Sequence, residues 1–354
     1  MVNFAAGLDH DRFEISIVIE EGIIARATPP DIRIRALNGR THRQKMRHLA
    51  RLWQRHPPRI VLSHITEQSL HVLEVRRRIG GDFPIVAVEQ STPSRLLQAY
   101  SGHSPLAWRR LVTDIRRHYQ SADALIALCE TSAVDLAELT GVPRGQIRII
   151  NNPVIPENLD ALSCRRTGHR LVDDAQHDIV LAAGRFAEEK NFELLIRSFP
   201  SILAVRPSAR LVILGEGDLR ARYERLVADL QISEFVSFPG QVTNPFAFIK
   251  RAAVMVLPSY VEGVPNVLIE ALACGTPIVA TDSVGGNREL LRDGELGAIV
   301  PLNDSDALAK AIMSTLDAPP DISRLKARGA DFSAASSITR YTELIEKLLL
   351  MTPG

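Results

Sequence analysis

At 354 residues, with 45% apolar and 23% charged residues and a formal net charge of +1, the chain has the composition of a soluble globular protein and the length for two domains. Aromatic residues make up only 5%, which argues against a base-stacking surface and against nucleic acid as a partner. No apolar run reaches the ~20 residues of a membrane span, the start "MVNFAAGLDHDRFE" lacks the pattern of a signal peptide, and Cys129, Cys164 and Cys274 have no metal-binding spacing, so a cytoplasmic protein with reduced thiols and no zinc is expected.

Six short apolar, β-branched runs come first: "FEISIVI", "DIRIRAL", "RIVLSH", "FPIVAV", "ADALIAL" and "QIRIIN". Amphipathic stretches separate them, and this alternation predicts a parallel sheet covered by helices on both faces. Between the second and third runs, residues 33–59 hold nine Lys or Arg and no acid. The segment reads either as a solvated helix face or as a surface for an anionic membrane or a phosphate-bearing partner, the membrane reading joined by Trp53 and "WRRLVTDIRRHY" at 108–119. Each basic residue could add about 1 kcal/mol there.

Residues 156–176, "PENLDALSCRRTGHRLVDDAQ", are polar, lack a clean period and follow the prolines of "NNPVIP", which predicts a linker. The strand pattern then restarts with "DIVLAAG", "ARLVILG", "EFVSFPG", "AVMVLPS", "TPIVATD" and "LGAIVPL". The expected organisation is therefore residues 1–155, a linker at 156–176, a second α/β domain at 177–333, and a terminal helix at 334–354 that needs a partner surface. Ligands of open parallel sheets sit beyond the carboxyl ends of the strands, so two such sheets are expected to face each other across a cleft, and the chemistry is sought at strand ends.

"DIVLAAG" leads into "GRFAEEKNFELL", which places Arg185 and Lys190 at a helix start, a setting that suits a diphosphate. "ARLVILG" leads into "GEGDLR", where Gly215 permits close backbone approach. "AVMVLPS" leads into "YVEGVPNVLIEALACG": Gly263 frees the turn, Pro265 is tolerated in a first helical turn, and an apolar helix follows. Glu262 precedes that helix and Glu270 lies within it. Carboxylates accept hydrogen bonds only, which suits adjacent hydroxyls such as a ribose diol or a sugar. A buried glutamate without such a partner would cost several kcal/mol or take up a proton. Read singly, these residues also fit surface cations, a capping acid and a helix-surface acid.

Taken jointly, "GRFAEEKN", "LGEGDLR", "FPGQVTNP", "LPSYVEGVPNVLIEALACGTPIVATD" and "GGNRELL" resemble, in order and spacing, the donor domain of glycosyltransferase family 4, retaining enzymes with two Rossmann-like domains (GT-B). The resemblance implies a donor site that includes Gly184, Arg185, Lys190 and Gly215, with Arg185 and Lys190 as the cations on the diphosphate. It implies Glu262 on the donor sugar and Glu270 on the ribose, with Gly263, Pro265, Asn266, Val267 and Leu268 supplying the intervening turn and helix start. Gln241 and Val242 fall where the family's backbone meets the base. In "VAVEQSTPS" the resemblance makes Glu89 the candidate beside the acceptor hydroxyl, although Gln90 replaces the basic residue usual in that branch. The terminal helix resembles one that crosses back onto the first domain. Family members begin with a strand and a Gly-rich loop; "MVNFAAGLDH" matches only the end of the helix after them, so that strand and loop are expected to be missing.

The implied activity is retaining, metal-independent transfer of a hexosyl-type sugar from a nucleotide-diphosphate sugar, most simply a UDP-sugar, to a glycan or lipid-linked acceptor in surface-polysaccharide synthesis. No cofactor is expected. Asp9-His10-Asp11 and Asp304-Ser305-Asp306 only superficially resemble the metal-binding Asp-x-Asp of other glycosyltransferases; the first precedes a strand and the second suits a helix cap. The expected location is the cytoplasm, peripheral on the inner face of the membrane. Two other readings stay open: a sugar-nucleotide epimerase or phosphorylase of the same architecture, and a non-catalytic nucleotide-sugar-binding or assembly subunit.

Overall fold

The computed structural model describes residues 2–19, 31–37, 39–94 and 104–351. Each of the twelve apolar runs contains a strand, in chain order: β1 (Ser16–Ile19), β2 (Arg33–Ala36), β3 (Val61–His64), β4 (Ile85–Glu89), β5 (Ala124–Ala127), β6 (Ile147–Ile149), β7 (Asp178–Ala183), β8 (Ala209–Leu214), β9 (Val236–Gly240), β10 (Val254–Leu257), β11 (Ile278–Thr281) and β12 (Ala298–Val300). The chain forms two compact units, one of Met1–Pro153 with Ala334–Gly354 and one of Val154–Ser333.

In the first unit β3, β4, β5 and β6 form a parallel four-stranded sheet in that order, while β1 and β2 pair separately, with Ile17 opposite Ile34. The helix His42–Arg55 begins at a capping box, in which the Gln44 N–H donates to Thr41 Oγ1 and the Thr41 N–H donates to Gln44 Oε1. It buries Met46, Leu49 and Trp53, whose helical spacing puts them on one face. Trp53 meets Phe83 edge to face at 5.2 Å. Arg43, Arg47, Arg51 and Arg55 remain exposed on the opposite side. The terminal helix Ala334–Met351 buries Tyr341, Leu344 and Ile345 in this unit, and the Phe4 ring meets Tyr341 at 4.8 Å with the two planes tilted by 58°.

The second unit is a six-stranded parallel sheet ordered β9-β8-β7-β10-β11-β12. Its strands are apolar on both faces because helices cover both. Phe192, Phe199 and Ile202 of the helix Phe192–Val205 are fully buried, and so are Leu268, Ile269 and Leu272 of Asn266–Cys274. Each such side chain contributes roughly 1.5–3 kcal/mol by leaving water.

The boundary differs from the sequence expectation. Residues 156–176 are not a free linker but hold two short helices, Leu159–Ser163 and Arg170–Asp173, that belong to the second unit. Polar atoms tie them down: Asn244 Nδ2 donates to the Leu162 carbonyl at 2.8 Å, and Arg251 pairs with Asp173. Both partners lie more than 75 residues further along the chain, so local composition could not reveal them.

Candidate functional site

Strand order in the second sheet reverses between β7 and β10, because the chain builds outward through β8 and β9 and then returns to the other side of β7. Connections leaving β7 and β10 therefore diverge to opposite faces, which opens a crevice beyond their carboxyl ends. The exit of β7 carries Gly184, Arg185 and a 3-10 turn, Glu188–Lys190. The exit of β10 carries Ser259 to Pro265. Across this join Lys190 Nζ donates to Glu262 Oε1 at 2.6 Å, with the two side chains only 23% and 9% exposed. The Tyr260 N–H also donates to the Glu189 carbonyl at 2.9 Å, so the loops are tied by backbone as well.

Local sequence explains why Lys190 arrives there. Phe186 and Phe192 are fully buried on either side of the turn and pack edge to face at 5.7 Å. Asn191 then takes a left-handed conformation (φ 47°), which Asn tolerates better than most residues, and starts the next helix. Gly215 makes a close approach to protein: a Cβ there would lie 1.8 Å from the Gly184 carbonyl oxygen, so this glycine lets β8 close onto the Arg185 loop.

Glu262 is held by the "SVGG" loop that follows β11. The Glu262 N–H donates to the Val284 carbonyl at 3.0 Å and the Gly286 N–H to the Gly263 carbonyl at 2.6 Å. Gly285 (φ 136°) passes so close that a Cβ would sit 2.0 Å from the Glu262 carbonyl oxygen. Asn287, fully buried, fixes this loop through Nδ2, which donates to the Thr281 carbonyl at 3.1 Å and to Ser283 Oγ at 2.8 Å. Thr281 Oγ1 in turn donates to the Ser259 carbonyl at 2.6 Å. Sequence reasoning noted the glycines here and missed Asn287 and Thr281; Thr281, at the end of the apolar run "TPIVATD", carried an available signal, whereas Asn287 in "VGGNRE" carried none.

The helix Asn266–Cys274 starts directly after Pro265, leaving the first N–H groups of the helix at the crevice. Glu270 is partly exposed, Asn266 exposed, Val267 half-buried and Leu268 buried, so Leu268 offers backbone only. Arg185, its side chain 66% exposed, pairs with Glu189 at 2.5 Å. Gln241 is exposed and Val242 half-buried just beyond the end of β9.

Glu89 does not sit where the resemblance puts it. It is 1% exposed, accepts from Thr66 Oγ1 at 2.7 Å and from the Tyr119 hydroxyl, and faces the helices Thr66–Ile79 and Pro105–Tyr119. Burial raises its carboxyl above the ordinary range, against the lowering effect of those two hydrogen bonds. It is a satisfied interior glutamate. Among the described residues no three His, Cys, Asp or Glu side chains gather as a metal site. Asp304 caps a helix by accepting from the Ala307 N–H at 2.8 Å, and Asp9 accepts from the Asp11 N–H at 3.0 Å.

Residues 170–332 match the family described as glycosyl transferases group 1, and residues 2–158 match glycosyltransferase family 4. The chain is 31% identical over 305 residues to the phosphatidyl-myo-inositol mannosyltransferase of Mycobacterium leprae, covering 80% of this chain and 73% of that protein. It is 27% identical over 249 residues to the N-acetylgalactosamine-N,N'-diacetylbacillosaminyl-diphospho-undecaprenol 4-alpha-N-acetylgalactosaminyltransferase of Campylobacter jejuni, covering 70% of this chain and 64% of that enzyme. Other curated relatives are spanned over as little as 23% of their length. Sucrose-phosphate synthase of Thermosynechococcus elongatus superposes with a TM-score of 0.78 at 21% identity, over 99% of this chain and 92% of that one. HepE of Anabaena, solved in complex with UDP and glucose, superposes with a TM-score of 0.72 at 16% identity, over 89% and 86% of the two chains. These two likenesses establish the GT-B fold.

Proposed function

The chain belongs to glycosyltransferase family 4, and on that premise we propose that it transfers a sugar, with retention and without a metal ion, from a nucleotide-diphosphate sugar to a glycan or lipid-linked acceptor. A uridine diphosphate sugar is the donor we favour, in line with the UDP bound by HepE. The observation that carries the reading is the Lys190–Glu262 pair at the switch point of the second sheet, beside a helix start.

In this reading Lys190, Arg185 and the first N–H groups of the helix Asn266–Cys274 receive the charge that develops on the departing diphosphate. They form a preorganised electrostatic site. Glu262 accepts from hydroxyls of the donor sugar and Glu270 from the ribose, while Gln241 and Val242 meet the base through their backbone. The bond between the anomeric carbon and the diphosphate oxygen breaks, the acceptor oxygen bonds that carbon from the same face, and a diphosphate oxygen takes the acceptor proton. Surface-glycan synthesis on lipid-linked acceptors is the setting that the names of the C. jejuni and M. leprae relatives support. No described helix is long and apolar enough to cross a membrane, and peripheral attachment at the inner face of the membrane through the basic segment 33–59 completes the proposal.

Calorimetry with UDP tests it. Binding should stabilise the protein by about 2.7 kcal/mol at one hundred times Kd, should weaken about tenfold or more in Lys190→Ala through loss of a charge-assisted hydrogen bond, and transfer should persist in EDTA. UDP affinity equal in wild type and Lys190→Ala would remove Lys190 from the site, and loss of transfer on chelation with recovery on adding magnesium would remove the metal-independent mechanism. Binding without transfer to any acceptor would leave the non-catalytic reading.

A further inference from the structure

Three polar side chains meet at the carboxyl ends of the first unit's strands: His64 ends β3, Gln90 follows β4, and Asn152 follows β6. Gln90 and Asn152 form a reciprocal amide pair, with Asn152 Nδ2 donating to Gln90 Oε1 at 2.8 Å and Gln90 Nε2 donating to Asn152 Oδ1 at 3.3 Å. The other amide proton of Gln90 points to His64 Nδ1 at 3.2 Å. An imidazole that accepts at Nδ1 carries its proton on Nε2 when neutral. Burial keeps it neutral, lowering its pKa to about 4. Among the described residues Nε2 has no hydrogen-bond partner, and all three side chains are only partly buried.

The arrangement is thus a fixed N–H donor backed by two amides, with no formal charge on any of the three. Neutral donors suit a neutral oxygen; phosphate and carboxylate are better met by Arg, Lys or a helix N-terminus. We propose that His64, Gln90 and Asn152 form a hydroxyl-recognition subsite for an acceptor sugar, in which His64 Nε2–H donates to a ring hydroxyl and Gln90 acts as the positioning residue that fixes the imidazole's tautomer. This rests on the glycosyltransferase reading. It moves the polar contact from Glu89, which is turned into the interior, to its neighbour in sequence and to the end of β3.

Nitrogen-15 NMR of the histidine side chains in the full chain, with His64 identified by the signal lost in His64→Asn, tests the subsite in the presence of UDP. The expected results are the Nε2–H tautomer for His64, a shift on titration with at least one of the methyl glycosides of glucose, galactose, mannose and N-acetylglucosamine, and none with inorganic phosphate. Gln90→Glu, whose carboxylate accepts from Nδ1–H, should invert the tautomer and weaken the responding glycoside roughly tenfold. An Nδ1–H tautomer in the wild type, a response to phosphate alone, or silence towards all four glycosides would overturn the proposal. UDP binding on the same sample separates the two readings: if UDP binds and the glycosides leave His64 unmoved, the subsite alone fails, whereas no UDP binding removes the donor reading.

Discussion

Lys190 and Glu262, 72 positions apart in sequence, close on each other at 2.6 Å over the join of β7 and β10. Under the proposed function, a diphosphate seeking Lys190 would compete with a carboxylate that is already there. Glu262→Gln should bind UDP at least as tightly as the wild type, because the ammonium is released, while transfer falls. Lys190→Ala leaves Glu262 poorly solvated and should destabilise the second unit; a double-mutant cycle in urea should give a coupling of about 1–3 kcal/mol.

Gly285 is the narrowest point of the Glu262 support. Gly285→Ala places a methyl group 2.0 Å from the Glu262 carbonyl oxygen at a φ of 136°. The strained backbone alone should cost about 1–3 kcal/mol. The Glu262 loop should shift as well, so UDP titration and thermal melting are both expected to show losses.

Stability of the first unit should respond to pH through two groups shifted with opposite consequences, the buried Glu89 and the partly buried His64. The carboxyl of Glu89 is raised by burial, so its contribution is complete below the ordinary carboxylate range and is lost as pH rises through its folded value. His64 is lowered to about 4, so its contribution is complete above about 6.5 and is lost as pH falls towards 4. Glu89→Gln should remove the first dependence and raise stability near neutral pH relative to wild type. His64→Gln should remove the second. Melting curves from pH 4 to 8 on both variants would show the two slopes separately.

Arg43, Arg47, Arg51 and Arg55 share the exposed face of their helix, and Arg109 and Arg110 are exposed on Pro105–Tyr119. Flotation with vesicles containing phosphatidylglycerol should show binding that falls steeply with salt, since exposed charges are screened within ~8 Å at physiological ionic strength. Reversing two of these arginines to Glu should weaken binding by about 1 kcal/mol or more for each charge removed. Equal binding to neutral vesicles would leave only a solvated face.

Hydrogen exchange should divide the strands. Among the described residues β1 and β3 each pair on one side only, whereas β7 and β10 lie between partners. Amides of Ile17 to Ile19 and Leu62 to His64 should exchange faster than those of Leu181 and Val256.

Strand positions were legible because an apolar, β-branched run between polar turns has few other ways to bury itself, and all twelve runs hold a strand. The loops at the crevice were legible because Gly263, Pro265 and Lys190 answer to local backbone and charge rules. What local rules do not encode is the direction of a side chain at a strand end. Glu89 and Gln90 are adjacent, yet one turns to Tyr119 and the other to His64, a choice made by helices packed from elsewhere. The close contact of Gly215 with protein was hidden for the same reason: its neighbour, Gly184, lies on another strand's exit.

The first unit is built from two stretches of chain, and the second is inserted between them, its two ends fastened by a parallel bridge between Ile155 and Ser333. Synthesis must then finish the inner unit before the outer one receives the helix that buries Tyr341. At roughly 5–20 residues per second, the nascent first unit waits many seconds with Phe4 unpartnered and its apolar surface open. The inner unit, with its ends side by side, has the connectivity of a module that can be excised or circularly permuted.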